Sequence, residues 1–224
     1  LDGFHITGGN AAGTPGSGDY HTWRGGGIYN WESKPLIRNC VVFNNTAAVS
    51  GGGLINESYG ANEADAVIEN CLFYGNVAGR VADDSANPIR GGGAIFNNNA
   101  NPVLRHVTVF YNTLGNPGYT QFGAYSGGIY NFSSSPAIDS SIVWGNTSGD
   151  IQDDHPLGDT SAAVVSYSNA TYAYQVWQPD SSWTVTSGVI PSGTGNISAD
   201  PLFSGSAPWP YQITGGPCFH TGNP

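Results

Sequence analysis

The stretch GGGIYN at Gly25–Asn30 recurs as GGGLIN at Gly51–Asn56, GGAIFN at Gly92–Asn97 and SGGIYN at Ser126–Asn131. A second element follows each copy: PLIRNCVVFNNTA (Pro35–Ala47), AVIENCLFYGNVA (Ala66–Ala78), PVLRHVTVFYNTL (Pro102–Leu114) and PAIDSSIVWGNTS (Pro136–Ser148). Aligned, these elements form columns: Ile37, Ile68, Leu104, Ile138; then Val42, Phe73, Val109, Val143; then Asn45, Asn76, Asn112, Asn146. From motif asparagine to last asparagine the step is fifteen residues in three copies, and twenty between Asn56 and Asn76, where SYGANEADA carries an insertion. A fixed period with insertions is the mark of a solenoid.

The apolar residues within each unit alternate or cluster over a few positions and are mostly Val, Ile, Phe and Tyr, which selects strands over helices. Units of this length with two or three short strands predict one coil of a parallel β-helix, each coil about 4.8 Å above the last. The glycines belong where the backbone bends with positive φ and where no side chain fits against the next coil. The asparagines are expected to hydrogen-bond from coil to coil, Asn45, Asn76, Asn112 and Asn146 forming a structural ladder. His106 shares a column with Asn39 and Asn70, which makes it a corner residue rather than a ligand. Cys40 and Cys71 also share a column, close enough to bridge, with stacked buried thiols as the plainer expectation.

Composition limits function. Of 224 residues 33 are glycine and 10% charged, and six cations face sixteen acids for a net charge of −10. Nucleic acid, acidic polysaccharide and anionic membrane surfaces are therefore disfavoured as partners. No apolar run approaches the roughly 20 residues of a membrane-spanning helix. Three cysteines do not make a disulfide scaffold.

The GG[GA]-apolar-aromatic-Asn motif and the aromatic-x-Asn element after it resemble the repeats of polymorphic outer-membrane adhesins and of secreted bacterial right-handed parallel β-helix proteins. The tail, GNISADPLF at Gly195–Phe203 and GGPCFHTGNP at Gly215–Pro224, is similar to the closing segment of the latter group. The resemblance implies a right-handed parallel β-helix and an extracellular or bacterial cell-surface setting. It says little of activity, because enzymes, adhesins and proteins without assigned role share the repeats.

Three insertions precede glycine motifs: Gly9–Arg24, Gly79–Arg90 and Leu114–Ser126. On a solenoid they emerge on one side, and together they predict a carbohydrate-binding wall of Tyr20, Trp23, Arg24, Asp83, Asp84, Arg90, Tyr119, Phe122 and Tyr125. The plainer reading pins these aromatics to the solenoid flank. DIQDDHPLGD at Asp150–Asp159 offers Asp150, Asp153 and Asp154 as oxygen ligands for calcium, against the reading of an acidic turn. A lyase needs more free Lys or Arg than the chain has, and a hydrolase needs paired carboxylates, for which Asp83–Asp84 and Asp153–Asp154 are the candidates. No nucleophile motif is present. Six N-x-[ST] sequons, at Asn44, Asn56, Asn131, Asn146, Asn169 and Asn196, follow the repeat more than they suggest glycosylation.

The whole chain, 1–224, therefore reads as one all-β domain: a single-stranded parallel β-helix of about five coils over 1–169 and an irregular C-terminal cap over 170–224. The chain opens at LDGFHITGG in the manner of a strand already under way, as a segment of something longer would. An uncovered end face recruits another chain, so head-to-tail self-association is a second expected partner mode beside glycan. No resident cofactor is expected. The best functional reading is a non-catalytic surface protein serving adhesion, glycan contact or self-assembly; the rival is a glycan-active hydrolase or lyase of the same fold.

Overall fold

A computed structural model describes residues 1–14, 19–60, 64–79, 91–115, 125–155, 159–177, 183–204 and 212–213. A half coil comes first, β1 (His5–Thr7) and β2 (Asn10–Ala11). The first complete coil is β3 (Ile28–Trp31), β4 (Leu36–Arg38), β5 (Val41–Phe43) and β6 (Thr46–Ala47). The second repeats it as β7 (Leu54–Glu57), β8 (Val67–Glu69), β9 (Leu72–Tyr74) and β10 (Val77–Ala78). The third is β11 (Ile95–Asn98), β12 (Val103–Arg105), β13 (Thr108–Phe110) and β14 (Thr113–Leu114). The fourth keeps β15 (Ile129–Phe132), β16 (Ala137–Asp139) and β17 (Ile142–Trp144), and the fifth β18 (Ile151–His155), β19 (Val164–Ser166) and β20 (Asn169–Ala170). Then come β21 (Tyr172–Trp177) and β22 (Trp183–Val189).

Equivalent strands stack in parallel into four sheets: β1-β5-β9-β13-β17-β20, β2-β6-β10-β14, β3-β7-β11-β15-β18-β21 and β4-β8-β12-β16-β19, with β22 added antiparallel to β21 at the end of the third. This is the parallel β-helix expected from the repeat, and the sequence columns are its registers. Ile37, Ile68, Leu104 and Ile138 pair in series, as do Val42, Phe73, Val109 and Val143. With Leu54, Ile95 and Ile129 these residues fill one continuous buried core. One apolar side chain per short strand suffices, because the next coil extends the core that a single coil cannot close.

The corners explain the small and polar residues. Asn39, Asn70, His106, Ser140 and Tyr167 all hold φ between 45° and 54° at the turn from the β4 sheet to the β1 sheet, so His106 is a corner residue as expected. In the glycine motif, Gly25, Gly51 and Gly92 have positive φ, while Ser126 in the fourth copy does not. The second glycine is excluded from change by space. A Cβ on Gly52 would lie 2.5 Å from the backbone oxygens of both Gly93 and Val77.

The closing segment is more regular at its start than expected. β21 continues the β3 sheet in parallel and β22 pairs antiparallel with β21. The reading of Asp150–Asp159 as an acidic turn is also corrected, since Ile151–His155 is the fifth strand of that sheet. Cys40 and Cys71 are buried and unbridged, and burial pushes the Cys71 thiol up to about 11, which leaves it inert at neutral pH.

Candidate functional site

The two faces of the β3 sheet carry different chemistry because side chains alternate along each strand. Leu54, Ile95 and Ile129 point into the core, and the neighbouring Ile55, Phe96 and Tyr130 form a second buried cluster with Tyr125 on the other face. On that outer face Trp31, Glu57, Asn98, Phe132 and Asp154 stand in register. Glu57 is wholly buried, and its carboxylate accepts from Arg24 Nη1 at 2.5 Å, Asn98 Nδ2 at 2.8 Å and the Tyr29 hydroxyl at 2.8 Å. Burial, and then the Glu57 charge, raise the Tyr29 hydroxyl well above its ordinary range, so it remains a donor. The Arg24 guanidinium also lies 4.4 Å above the Trp23 ring.

Three residues of the expected carbohydrate wall are buried in the structure. Trp23 is 0% and Tyr125 8% exposed, and Arg24 is buried against Glu57. Trp23 packs on Ala48 and Val49, and Tyr125 sets its ring edge-on to Tyr130 at 5.5 Å. These rings pin the flank of the solenoid and offer no open face to a sugar. Tyr20 lies in the short 3₁₀ turn Tyr20–Thr22. Asp83, Asp84, Arg90, Tyr119 and Phe122 lie outside the described residues.

An accessible aromatic group does exist, joining His21 of the Gly9–Arg24 insertion to residues of β3 and of the SYGANEADA insertion. His21 sits edge-on to Tyr29 at 4.5 Å and to Trp31 at 5.9 Å. The Tyr29 and Trp31 rings are within 13° of parallel at 6.1 Å, and Tyr59 leans against Trp31 at 4.7 Å. Tyr59 is 60% exposed, His21 is exposed, and Tyr29 and Trp31 are half-buried. All four stand at β3, the edge strand of its sheet among the described residues. Tyr29 and Trp31 are two apart on one strand, so they share a face. That spacing is the signal by which the sequence could have revealed them. Tyr59 comes from the SYGANEADA insertion.

The acidic candidates have structural partners. Asp150 Oδ1 accepts from the Asn146 side chain at 3.1 Å, and its Oδ2 from the Thr171 hydroxyl at 2.7 Å. Asp153 accepts from Asn131 Nδ2 at 2.7 Å and from the Ala163 amide at 2.7 Å, and Asp154 from the Tyr130 hydroxyl. Adjacent on β18, Asp153 joins the inward asparagine file and Asp154 the outward face, so they cannot flank one glycosidic bond. Among the described residues no group of three His, Cys, Asp or Glu side chains is placed to hold a metal ion.

Every described cation is paired. Besides Arg24, Lys34 meets Asp65 at 3.4 Å, Arg38 meets Asp2 at 2.9 Å and Arg105 meets Glu69 at 3.3 Å. The last two belong to one column on the β4 sheet, Asp2, Arg38, Glu69, Arg105 and Asp139, in which charge alternates from coil to coil. Another outward column stacks Phe43 on Tyr74 at 5.1 Å and Tyr74 on Phe110 at 5.5 Å, so these rings spend their faces on one another.

Four of the sequon asparagines, Asn56, Asn131, Asn146 and Asn169, are buried, while Asn44 is exposed. Fold and surface together define, among the described residues, a parallel β-helix with an accessible aromatic cluster at its first complete coil. No family model, curated protein or solved structure matches the chain.

Proposed function

We propose that this chain is a non-catalytic β-helix scaffold working outside the cell or on a bacterial cell surface, where it contacts neutral glycan. The observation that carries this reading is the accessible cluster of His21, Tyr29, Trp31 and Tyr59. Aromatic rings with polar tips suit sugars, whose C–H faces pack on the ring while hydroxyls meet the polar atoms. Neutrality follows from charge. Arg24, the cation next to the cluster, is committed to Glu57, and Lys34, Arg38 and Arg105 are paired as well. An acidic glycan would find no free positive partner among the described residues, on a chain of net charge −10.

The test is a glycan array followed by titration of hits against wild type, W31A and Y59A. Binding of a neutral oligosaccharide, weakened about tenfold or more by either substitution at unchanged melting temperature, is expected. Failure to bind neutral glycan, or binding indifferent to both changes, overturns it. Release of reducing ends or unsaturated product from a bound polymer would overturn the non-catalytic part.

A further inference from the structure

Two asparagine files run through the tower, and both have a direction. In the first, the side-chain amides of Asn45, Asn76 and Asn112 donate to Oδ1 of Asn76, Asn112 and Asn146 at 3.1, 2.9 and 2.9 Å. The backbone amides of the same three residues donate to the same oxygens at 3.1, 3.0 and 3.0 Å. In the second, Asn30, Asn56 and Asn97 donate to Asn56, Asn97 and Asn131 at 2.9, 2.9 and 2.7 Å. Each internal member accepts from the coil before it and donates to the coil after it. A chain of that kind must end on a group that accepts without donating.

Both files end on aspartate. Asn146 donates its backbone N–H and Nδ2 to Asp150 Oδ1 at 3.2 and 3.1 Å, the same pair of bonds that Asn112 gives Asn146. Asn131 donates to Asp153 Oδ1 at 2.7 Å. An ionised carboxylate is acceptor-only, which an amide is not. The sequence around them is a fifth, altered copy of the opening motif. Asn131 pairs with Asp153, and the same register carried back sets Asp150 against Gly128. The third glycine of the motif has become one aspartate and the motif asparagine the other.

The spare oxygens face forward. Asp150 Oδ2 accepts from the Thr171 amide at 3.2 Å and its hydroxyl at 2.7 Å. Asp153 Oδ2 accepts from the Tyr172 hydroxyl and from the Ala163 amide at 2.7 Å. Thr171 precedes β21 and Tyr172 opens it, after which β22 turns antiparallel. Beside them Ile197 bonds to Ser168 and Ala170 at 3.0 and 3.1 Å, across the end of the β1 sheet. We infer that Asp150 and Asp153 are the terminators of the solenoid: they close both asparagine files and lock on the cap, so a second copy finds no file to extend at this end. Natural solenoids need such closure, because unpaired strand edges recruit other chains.

The reason for aspartate is local. An asparagine at 150 or 153 would set its NH₂ against an N–H donor whichever way the amide turned. Inside the file the preference reverses. An aspartate at 112 would lose the bond to Asn146 and face the carbonyl oxygens of Phe73 and Phe110, which the Asn112 amide now donates to.

The test uses the full chain with D150N, D153N and N112D. All three are expected to melt lower than wild type. In the first two, the Thr171 and Ala163 amides respectively should exchange hydrogen at least about tenfold faster, the factor that 1.4 kcal/mol makes in an equilibrium. Wild-type melting and exchange in D150N and D153N would overturn the inference, as would an N112D chain as stable as wild type. Should the variants not fold, the wild type decides. Its Asn146, Ala163 and Thr171 amides should be as protected as those of Asn76 and Asn112, and free exchange there overturns the terminator role. Sedimentation across a dilution series supplies the second arm: a monomer supports the closed end, and oligomers crosslinked through the fifth coil contradict it.

Discussion

The β3 and β4 sheets belong to the same coils, yet their outer faces are opposites. Leu54, Ile55, Asn56 and Glu57 are all buried, so the middle of the β3 sheet is dry on both sides. On the β4 sheet Ile68 and Leu104 are buried, while Arg105 outside them is exposed. Each sheet holds an Arg–Glu pair. Arg24 and Glu57 are 9% and 0% exposed, Arg105 and Glu69 52% and 31%. The repeat builds the inward half of both sheets. What differs is the chain placed on the outside, and that decides whether a charge pair is a structural requirement or a solvated ornament.

Replacing Arg24 by alanine should break this contrast most severely. It strands the Glu57 charge in a dry site, at a cost of about 3–5 kcal/mol. Urea unfolding should show the loss, and adding E57Q to R24A should restore part of it. A double variant no more stable than R24A would mean that Glu57 is not buried as a charge. Gly52→Ala comes next. Its Cβ would meet two backbone oxygens at 2.5 Å, neither able to move without shifting a coil, and a loss of about 3 kcal/mol is expected. Unchanged stability would show that the coils are not in contact there.

Arg105→Ala sharpens the comparison from the mild side. Exposed pairs contribute about 0–1 kcal/mol, so its unfolding curve should nearly overlay the wild type. A loss approaching that of R24A would contradict the exposed placement.

The smallest effect is one of pH, and its sign separates a buried acid from an exposed one. Burial raises Asp150, against the hydrogen bonds from Thr171 and Asn146. The folded chain then binds this proton before the unfolded chain does. Asp150 alone should make folding more favourable as pH falls from its raised folded pKa toward the ordinary value of 3.8. Asp2, held low by Asn39 and Arg38, acts oppositely: its contribution is present above 3.8 and is lost as pH falls through its lowered pKa. Unfolding free energies of wild type minus D150N, plotted against pH, should rise on acidification. A flat difference would place Asp150 in a hydrated setting, and a falling one would mean that the hydrogen bonds from Thr171 and Asn146 outweigh burial.

The inward half of each coil was legible because stacking forces like residues into one column, as with Ile37, Ile68, Leu104 and Ile138. The fifth motif copy was not, because ending the files required changing the glycine and the asparagine that define the motif. Asp150–Asp159 consequently read as an acidic turn. The outer surfaces were legible only in part. Trp23 and Tyr125 have the residue types of a sugar platform, and the same apolar ring serves equally to pin a loop to a sheet. Trp31 escaped notice because an aromatic beside a corner looks like one more member of the repeat, and Tyr59 because it lies in the SYGANEADA insertion, outside the repeat.

Nuclear Overhauser contacts between the side-chain amide protons of successive file members address the stacked tower most directly. Asn76 should contact Asn112, Asn56 should contact Asn97, and Asn97 should contact Asn131, in step with donor–acceptor distances of 2.9, 2.9 and 2.7 Å. Amide groups that touch no partner one coil away, or that touch members out of order, would contradict the stacked coils on which both functional readings stand.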